Sequence, residues 1–204
     1  TPEEFARLLE LSEKEGVKFA NDLIYHANNK LGKNEKMRLP PGNDTPVLPT
    51  GFRYQLAPRI GDPSDDGIYF HSDDELTYFV DKGKFANNYK KDVINKYGVR
   101  LDEVLNIFLM PHHPDSVASK TYKAYGVGIA LGNSLKLAGQ FELKIPSWGI
   151  VNTLNHEAGH IFGLSHSWTG SDGCDDTPKH KNCWSPIMPN CRDSTASNNV
   201  MDYN

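Results

Sequence analysis

Residues 156–166 read H-E-x-x-H-x-x-G-x-x-H, and this run constrains the fold more than any other stretch of the 204-residue chain. His156 and His160 are four residues apart, so a helix through them projects both imidazoles from one face. Two nitrogens so placed reach one metal ion about 2.0–2.1 Å from each. Glu157 is one residue on, near the same metal but off the ligand axis, where a base for an activated water belongs. Gly163 is able to take the left-handed conformation that ends a helix, and the turn it makes brings His166 back as a third ligand. Three protein ligands leave one coordination position open, the pattern of a catalytic rather than a structural zinc.

These residue types point to hydrolysis. His156, His160 and His166 hold zinc in this reading, while Glu157 takes a proton from the activated water and delivers it to a leaving amine. The leading expectation is a zinc-dependent endopeptidase acting on a peptide or protein. Two other readings stand beside it: a catalytically inactive binding module that keeps zinc as a structural pin, and zinc-assisted hydrolysis of a non-peptide bond. Glu157 argues against the inactive module. His26, His71, His112, His113 and His180 lack ligand spacing; His112 with His113 follows a strand end and reads as a solvent-facing pair, with a place lining the cleft as the alternative.

The length suits one domain, 1–204, with a sizeable core that a cleft divides into lobes of about 1–166 and 167–204. A net charge of -4 gives no reason to expect nucleic acid or an anionic membrane as partner. No apolar run approaches the roughly 18 residues a membrane span needs. The chain begins at Thr1 without a signal-peptide pattern, which reads as a mature or trimmed product with any targeting segment out of sight. Cys174, Cys183 and Cys191 all follow the histidine motif. In an exported protein they imply one disulfide and one leftover thiol, with the pairing open; in a reducing compartment they are free thiols or extra metal ligands. A bridge is favoured, because three cysteines without a nearby C-x-x-C make a poor zinc pattern.

Periodicity gives a mixed α/β chain, a twisted sheet flanked by helices. Ser12 and Glu15 form a capping box ahead of a helical stripe at Val17, Ala20, Leu23, Ile24, Ala27 and Leu31, closed by Gly32. Thr1 and Pro2 resemble a separate helix start with Phe5, Leu8 and Leu9 as its stripe. Residues 33–50 read as a loop, 52–56 as a half-buried strand and 67–70 as a short strand. Ser72 and Glu75 repeat the capping-box pattern, and a helix is expected over about 85–97, ended by Gly98. Residues 104–110 suit a strand covered on both faces. Residues 127–131 read as a strand whose Gly128 marks the close approach of another backbone, and 140–145 as another strand. The motif helix is expected over about 147–163, with Ser147 as N-cap. Past His166 aliphatic residues are scarce, so this segment needs a bridge, bound ions or packing on the first lobe to hold it.

The third histidine, with a Met-turn candidate at Met201 and the acidic run from Asp172 to Pro178, resembles the metzincins. Within them the chain is similar to the pappalysin family, in particular its cytophagalysin-like secreted bacterial members, over roughly residues 13–204. The resemblance implies a twisted mixed sheet, a backing helix at 13–31 and a zinc-binding helix above a cleft, with a small irregular C-terminal lobe carrying the Met-turn. It implies an edge strand at 127–131 that hydrogen-bonds the substrate main chain, which argues against a non-peptide substrate. Met201 is implied as an apolar floor beneath the zinc, and Tyr203 as a residue near the metal that binds it or assists the transition state. Asp172, Asp176 and Thr177 resemble a calcium site, carboxylates and a hydroxyl suited to a hard cation. The chain departs from that pattern at His180 and Cys174, lacks a convincing strand before the backing helix, and stops at Asn204, before the helix that follows the Met-turn in that pattern, which reads as a trimmed or incomplete chain. A monomer that is secreted, periplasmic or cell-surface is the corresponding expectation.

Overall fold

The computed structural model describes residues 2–37, 44–47, 49–79, 89–120, 125–166 and 198–202, with side chains from residue 12 onward. Among them the protein is mixed α/β, with a small three-stranded mixed sheet and four α-helices. The elements are α1 (Pro2–Gly32), α2 (Asp92–Tyr97), β1 (Asn106–Met110), α3 (Pro114–Val117), β2 (Val127–Ala130), β3 (Ser134–Ala138) and α4 (Val151–Ile161).

The sheet order is β1-β3-β2, so the last strand in sequence lies in the middle. β1 runs parallel to β3, pairing Asn106 with Ser134 through Met110 with Ala138. β2 runs antiparallel to β3, pairing Val127 with Ala138 and Ala130 with Leu135. On one face, Leu135 and Leu137 of β3 meet Leu23 and Ala27 of α1 and Val151, Leu154 and Ala158 of α4. Each leucine buried there contributes about 1.5–3 kcal/mol of transfer free energy. On the other face Phe79, Met110 and Ala138 pack with Val93 of α2, Phe108, Val127 and Ile129. β1 thus has side chains packed on both faces, as its apolar run implies.

The stripe Leu23–Ala27 does face the core, but α1 begins at Pro2 rather than at the Ser12 capping box. Good helix formers precede Ser12, so propagation costs less than stopping, and proline at the start has no lost donor to replace. Residues 52–56 are not a strand. The Asn28 side chain takes the place of a neighbouring strand: its Nδ2 donates to the Tyr54 carbonyl at 2.9 Å and its Oδ1 accepts from the Tyr54 N–H at 2.7 Å. Residues 67–70 form no strand either, since Asp65 and Asp66 accept from the N–H groups of Gly67 and Ile68. Near Ser72 the cap is Asp73, which accepts from the N–H groups of Glu75 and Leu76 in a turn, without a helix.

Within the expected 85–97 helix, residues 85–88 lie outside the described part, and α2 spans Asp92–Tyr97 with Gly98 as its cap. Residues 140–145 are a turn, not a strand. Ile145 N–H bonds back to the Gln140 carbonyl at 3.0 Å, Lys144 takes a positive φ of 51°, and Phe141 and Leu143 are exposed. The strand that sequence patterning omitted is β3, the fully buried centre of the sheet. Lys136 interrupts its apolar run, yet it is buried, with Nζ donating to the Lys90 carbonyl at 3.1 Å and lying 5.3 Å over the Phe79 ring. No helix among the described residues is long and apolar enough to cross a membrane.

Candidate metal centre

The motif helix starts later than its N-cap signal suggests. Ser147–Gly149 form a 3-10 turn closed by Gly149 N–H on the Pro146 carbonyl at 2.8 Å, and α4 follows from Val151. Ser147 is therefore no N-cap; Ile150 holds that position without a side-chain bond. Leu154 and Ala158 turn into the core, which rotates His156 and His160 toward the opposite side of the helix and leaves Glu157 on its flank.

The helix ends as the glycine demands. Gly163 has φ of 87°; its N–H bonds to the His160 carbonyl at 3.0 Å, and the Leu164 N–H bonds to the Gly159 carbonyl at 2.9 Å. This double closure around a left-handed residue is a Schellman motif. It sends the chain back on itself and delivers His166 to the other two histidines.

The Nε2 atoms of His156, His160 and His166 form a triangle with every side 3.1 Å. The His156 and His160 rings stand at 90° and those of His160 and His166 at 82°. Nδ1 of His156 donates to the Val200 carbonyl at 2.8 Å, and Nδ1 of His160 to the Leu164 carbonyl at 2.8 Å. A carbonyl only accepts, so both rings carry their proton on Nδ1 and turn a lone pair inward at Nε2. Burial depresses the basicity of His156, and burial with the adjoining His160 and His156 brings His166 down to about 4. These two imidazoles are thus neutral at pH 7.

Converging lone pairs repel unless a cation lies among them, so the donor set fits a metal ion. Corners of a 3.1 Å triangle lie about 1.8 Å from its centre, so the three nitrogens are close enough together to share one ion at the roughly 2.0–2.1 Å that zinc–nitrogen bonds take. Among the described residues these three histidines are the group of three or more metal-ligating side chains.

Glu157, the residue after His156, is buried, and burial pushes its carboxyl up to about 7 against the opposing pull of a hydrogen bond from the Ala130 N–H. A divalent cation nearby favours its ionised form. At Gly128, β2 packs tightly against α4. A Cβ there would lie 2.6 Å from Glu157 Cγ and 2.8 Å from Thr153 Cγ2, so side chains of α4, not another backbone, need the space. β2 is an edge strand of the described sheet.

Met201 is buried under α4, where a Cβ on Gly159 would fall well inside contact distance of its Sδ. Its N–H bonds to Asn199 Oδ1 at 2.9 Å, and Asn198 Nδ2 reaches the Lys36 carbonyl at 3.0 Å, which ties residues 198–202 to the segment after α1. Tyr203, Asp172, Asp176, Thr177, His180 and the three cysteines Cys174, Cys183 and Cys191 lie outside the described residues. His112 and His113 do not form a solvent-facing pair. His112 is buried with Nε2 on the Tyr125 carbonyl at 2.9 Å, and His113 packs on Tyr78 and caps α3 by accepting from the Asp115 N–H.

Comparison with protein-family models, curated proteins and solved structures finds no match to this chain. Its function is therefore argued from its own geometry.

Proposed function

We propose that the protein is a zinc-dependent endopeptidase of metzincin type, similar to the pappalysins. The observation that carries this reading is the 3.1 Å triangle of histidine nitrogens with a buried carboxylate on the next residue. α1 serves as the backing helix, α4 as the zinc-binding helix and β2 as the strand that receives an extended peptide by strand addition. His156, His160 and His166 would hold the metal. A three-histidine set with nitrogen donors alone suits zinc, which supplies Lewis acidity that activates water near neutral pH and polarises a carbonyl.

The protein's own groups do the rest. Val200 and Leu164 carbonyls fix the tautomers and aim the rings of His156 and His160. Glu157 accepts the proton of the attacking water and returns it to the leaving amine. Its buried position excludes bulk water and keeps the carboxylate oriented by the Ala130 N–H. Met201 provides an apolar floor beneath the helix. Tyr203 is proposed to stabilise the oxyanion, and Asp172, Asp176 and Thr177 to bind calcium, in a protein exported from the cell.

The test is metal analysis with a cleavage assay on unfolded protein for the wild type and Glu157→Gln. One zinc per chain and a fall in turnover of about 10²–10⁴ in the variant, with zinc retained, is expected. Zinc without cleavage in the wild type would instead identify an inactive module using the metal as a structural pin. Near-normal turnover in Glu157→Gln would remove that residue from the chemistry.

A further inference from the structure

The antiparallel pairing of β2 with β3 decides which of its backbone groups remain for other partners. The Leu131 N–H bonds to the Ser134 carbonyl at 2.8 Å, so Leu131 and Ser134 form a hydrogen-bonded pair at the start of the ladder. Such pairs alternate along an antiparallel ladder. With Ala130 opposite Leu135, Ile129 opposite Lys136 and Gly128 opposite Leu137, the main-chain groups of Ile129 turn inward to β3. Those of Gly128 and Ala130 turn outward to the strand's other edge.

Glu157 comes to this outer edge from α4. Its Cγ occupies the space that a side chain on Gly128 would fill, 2.6 Å from the Cβ position, and its carboxylate accepts from the outward N–H of Ala130. The same Cβ would also lie 2.9 Å from Leu137 Cδ2, so the strand cannot simply slide sideways to make room. Residue 128 is therefore glycine for a reason that helix α4 imposes.

We infer that β2 positions the base: Gly128 and the Ala130 N–H act as a sleeve and a hook that hold the Glu157 carboxylate at the histidine cluster. It follows that a peptide paired to this edge finds the Gly128 N–H and carbonyl and the Ala130 carbonyl, but not the Ala130 N–H, which the enzyme reserves for its own carboxylate. Gly128 and Ala130 are positioning residues; Glu157 alone touches the reacting atoms. The inference rests on the peptidase reading for its kinetic consequence, but not for its structural one.

Two measurements test it. The first is amide hydrogen exchange by NMR on the metal-free wild type and Glu157→Ala. The Ala130 amide should exchange about tenfold or more faster in the variant, with Ile129 and Leu131 unchanged, because only Ala130 loses its partner. Equal Ala130 exchange in the two proteins overturns the inference whether or not the chain cleaves peptides. The second is Gly128→Ala, assayed after zinc loading. A displaced base predicts a fall in kcat of about 10²-fold, in line with the cost of misplacing a reacting group by roughly 1 Å, with KM near the wild-type value. Zinc affinity, read by competition with a chromophoric chelator, should stay within about threefold because the histidines are untouched. A rise in KM with kcat preserved would show that Gly128 serves substrate docking instead, and would overturn the positioning role. If Gly128→Ala does not fold, the exchange measurement still decides. If the wild type shows no cleavage at all while Ala130 exchange responds to Glu157, the peptidase reading fails and the sleeve remains.

Discussion

The Gly159→Ala substitution should change sign with the residue beneath it. In an isolated helix the replacement is favourable by about 1 kcal/mol, since alanine loses less backbone entropy. Here the new Cβ would fall inside contact distance of Met201 Sδ, 3.4 Å from its Cε and 3.6 Å from Leu164 Cδ1. Ordinary carbon contacts lie at about 3.5–4.0 Å, so the sulfur must retreat by roughly 1 Å. Met201 is buried and its backbone is held, its N–H by Asn199 and the preceding carbonyl by His156, so the side chain has to turn within the core to make that room. Overpacking of this kind costs about 1–3 kcal/mol, which outweighs the propensity gain. We expect Gly159→Ala to destabilise the metal-free protein by up to about 2 kcal/mol, or a few degrees in Tm for a chain of this size. In a Met201→Ala background the obstacle is gone, and the same substitution should stabilise by up to about 1 kcal/mol. Urea unfolding of the four proteins in chelator, followed by far-UV circular dichroism, gives the coupling directly, expected at about 1–3 kcal/mol. Equal stabilisation in both backgrounds would refute the packing argument, because it would mean that Met201 does not occupy the space over Gly159.

Other expectations are simpler. Adding zinc to chelated protein should raise Tm, with a stabilisation of about 2.7 kcal/mol at a free ion concentration 100 times Kd; His166→Ala should abolish the response at that concentration, and an unchanged shift would remove His166 from the centre. Asn28→Ala strands both main-chain groups of Tyr54 and should cost about 1–3 kcal/mol in urea unfolding; a loss below 0.5 kcal/mol, on the order of surface substitutions, would contradict the mimicry of a strand. Asp73 has its carboxyl held well below the usual range, first by Lys96, then by Tyr97 and the Leu76 N–H. A depressed acid stabilises the fold above its unfolded pKa of about 3.9 and loses that contribution as pH falls toward the folded value. Asp73→Asn should therefore lower Tm at pH 7 and converge with the wild type in strong acid; a penalty that grows on acidification would contradict the sign.

What could be read in advance, and what could not, follows from how each feature is encoded. The histidine triangle was legible because two ligands are set by helical periodicity and the third by one glycine with a positive φ, all local in sequence. The carbonyls that orient the rings were not: Val200 is 44 residues from His156, and every residue carries a carbonyl, so side-chain identity holds no signal for it. β3 escaped because Lys136 breaks its apolar run, and only tertiary structure reveals that the lysine stem is buried and its ammonium satisfied by the Lys90 carbonyl. The alternation at Phe52 and Tyr54 was real, yet its partner is an amide side chain on α1 rather than a strand, a substitution that periodicity cannot distinguish. Ser12 shows the reverse error. A capping box stabilises a helix start only if the chain before it leaves the helix, and here it does not.

The bond between His156 Nδ1 and the Val200 carbonyl has a reciprocal consequence. Thermodynamic linkage requires that whatever factor the seating of residues 198–202 adds to ion affinity, the ion returns to that seating. A cation held by the imidazoles would therefore also clamp a distant turn, and a force that lifted the turn would loosen the cation. The centre is in this sense a fastener between the front and the end of the chain, closed through the contacts of Asn198 with Lys36 just past the first helix.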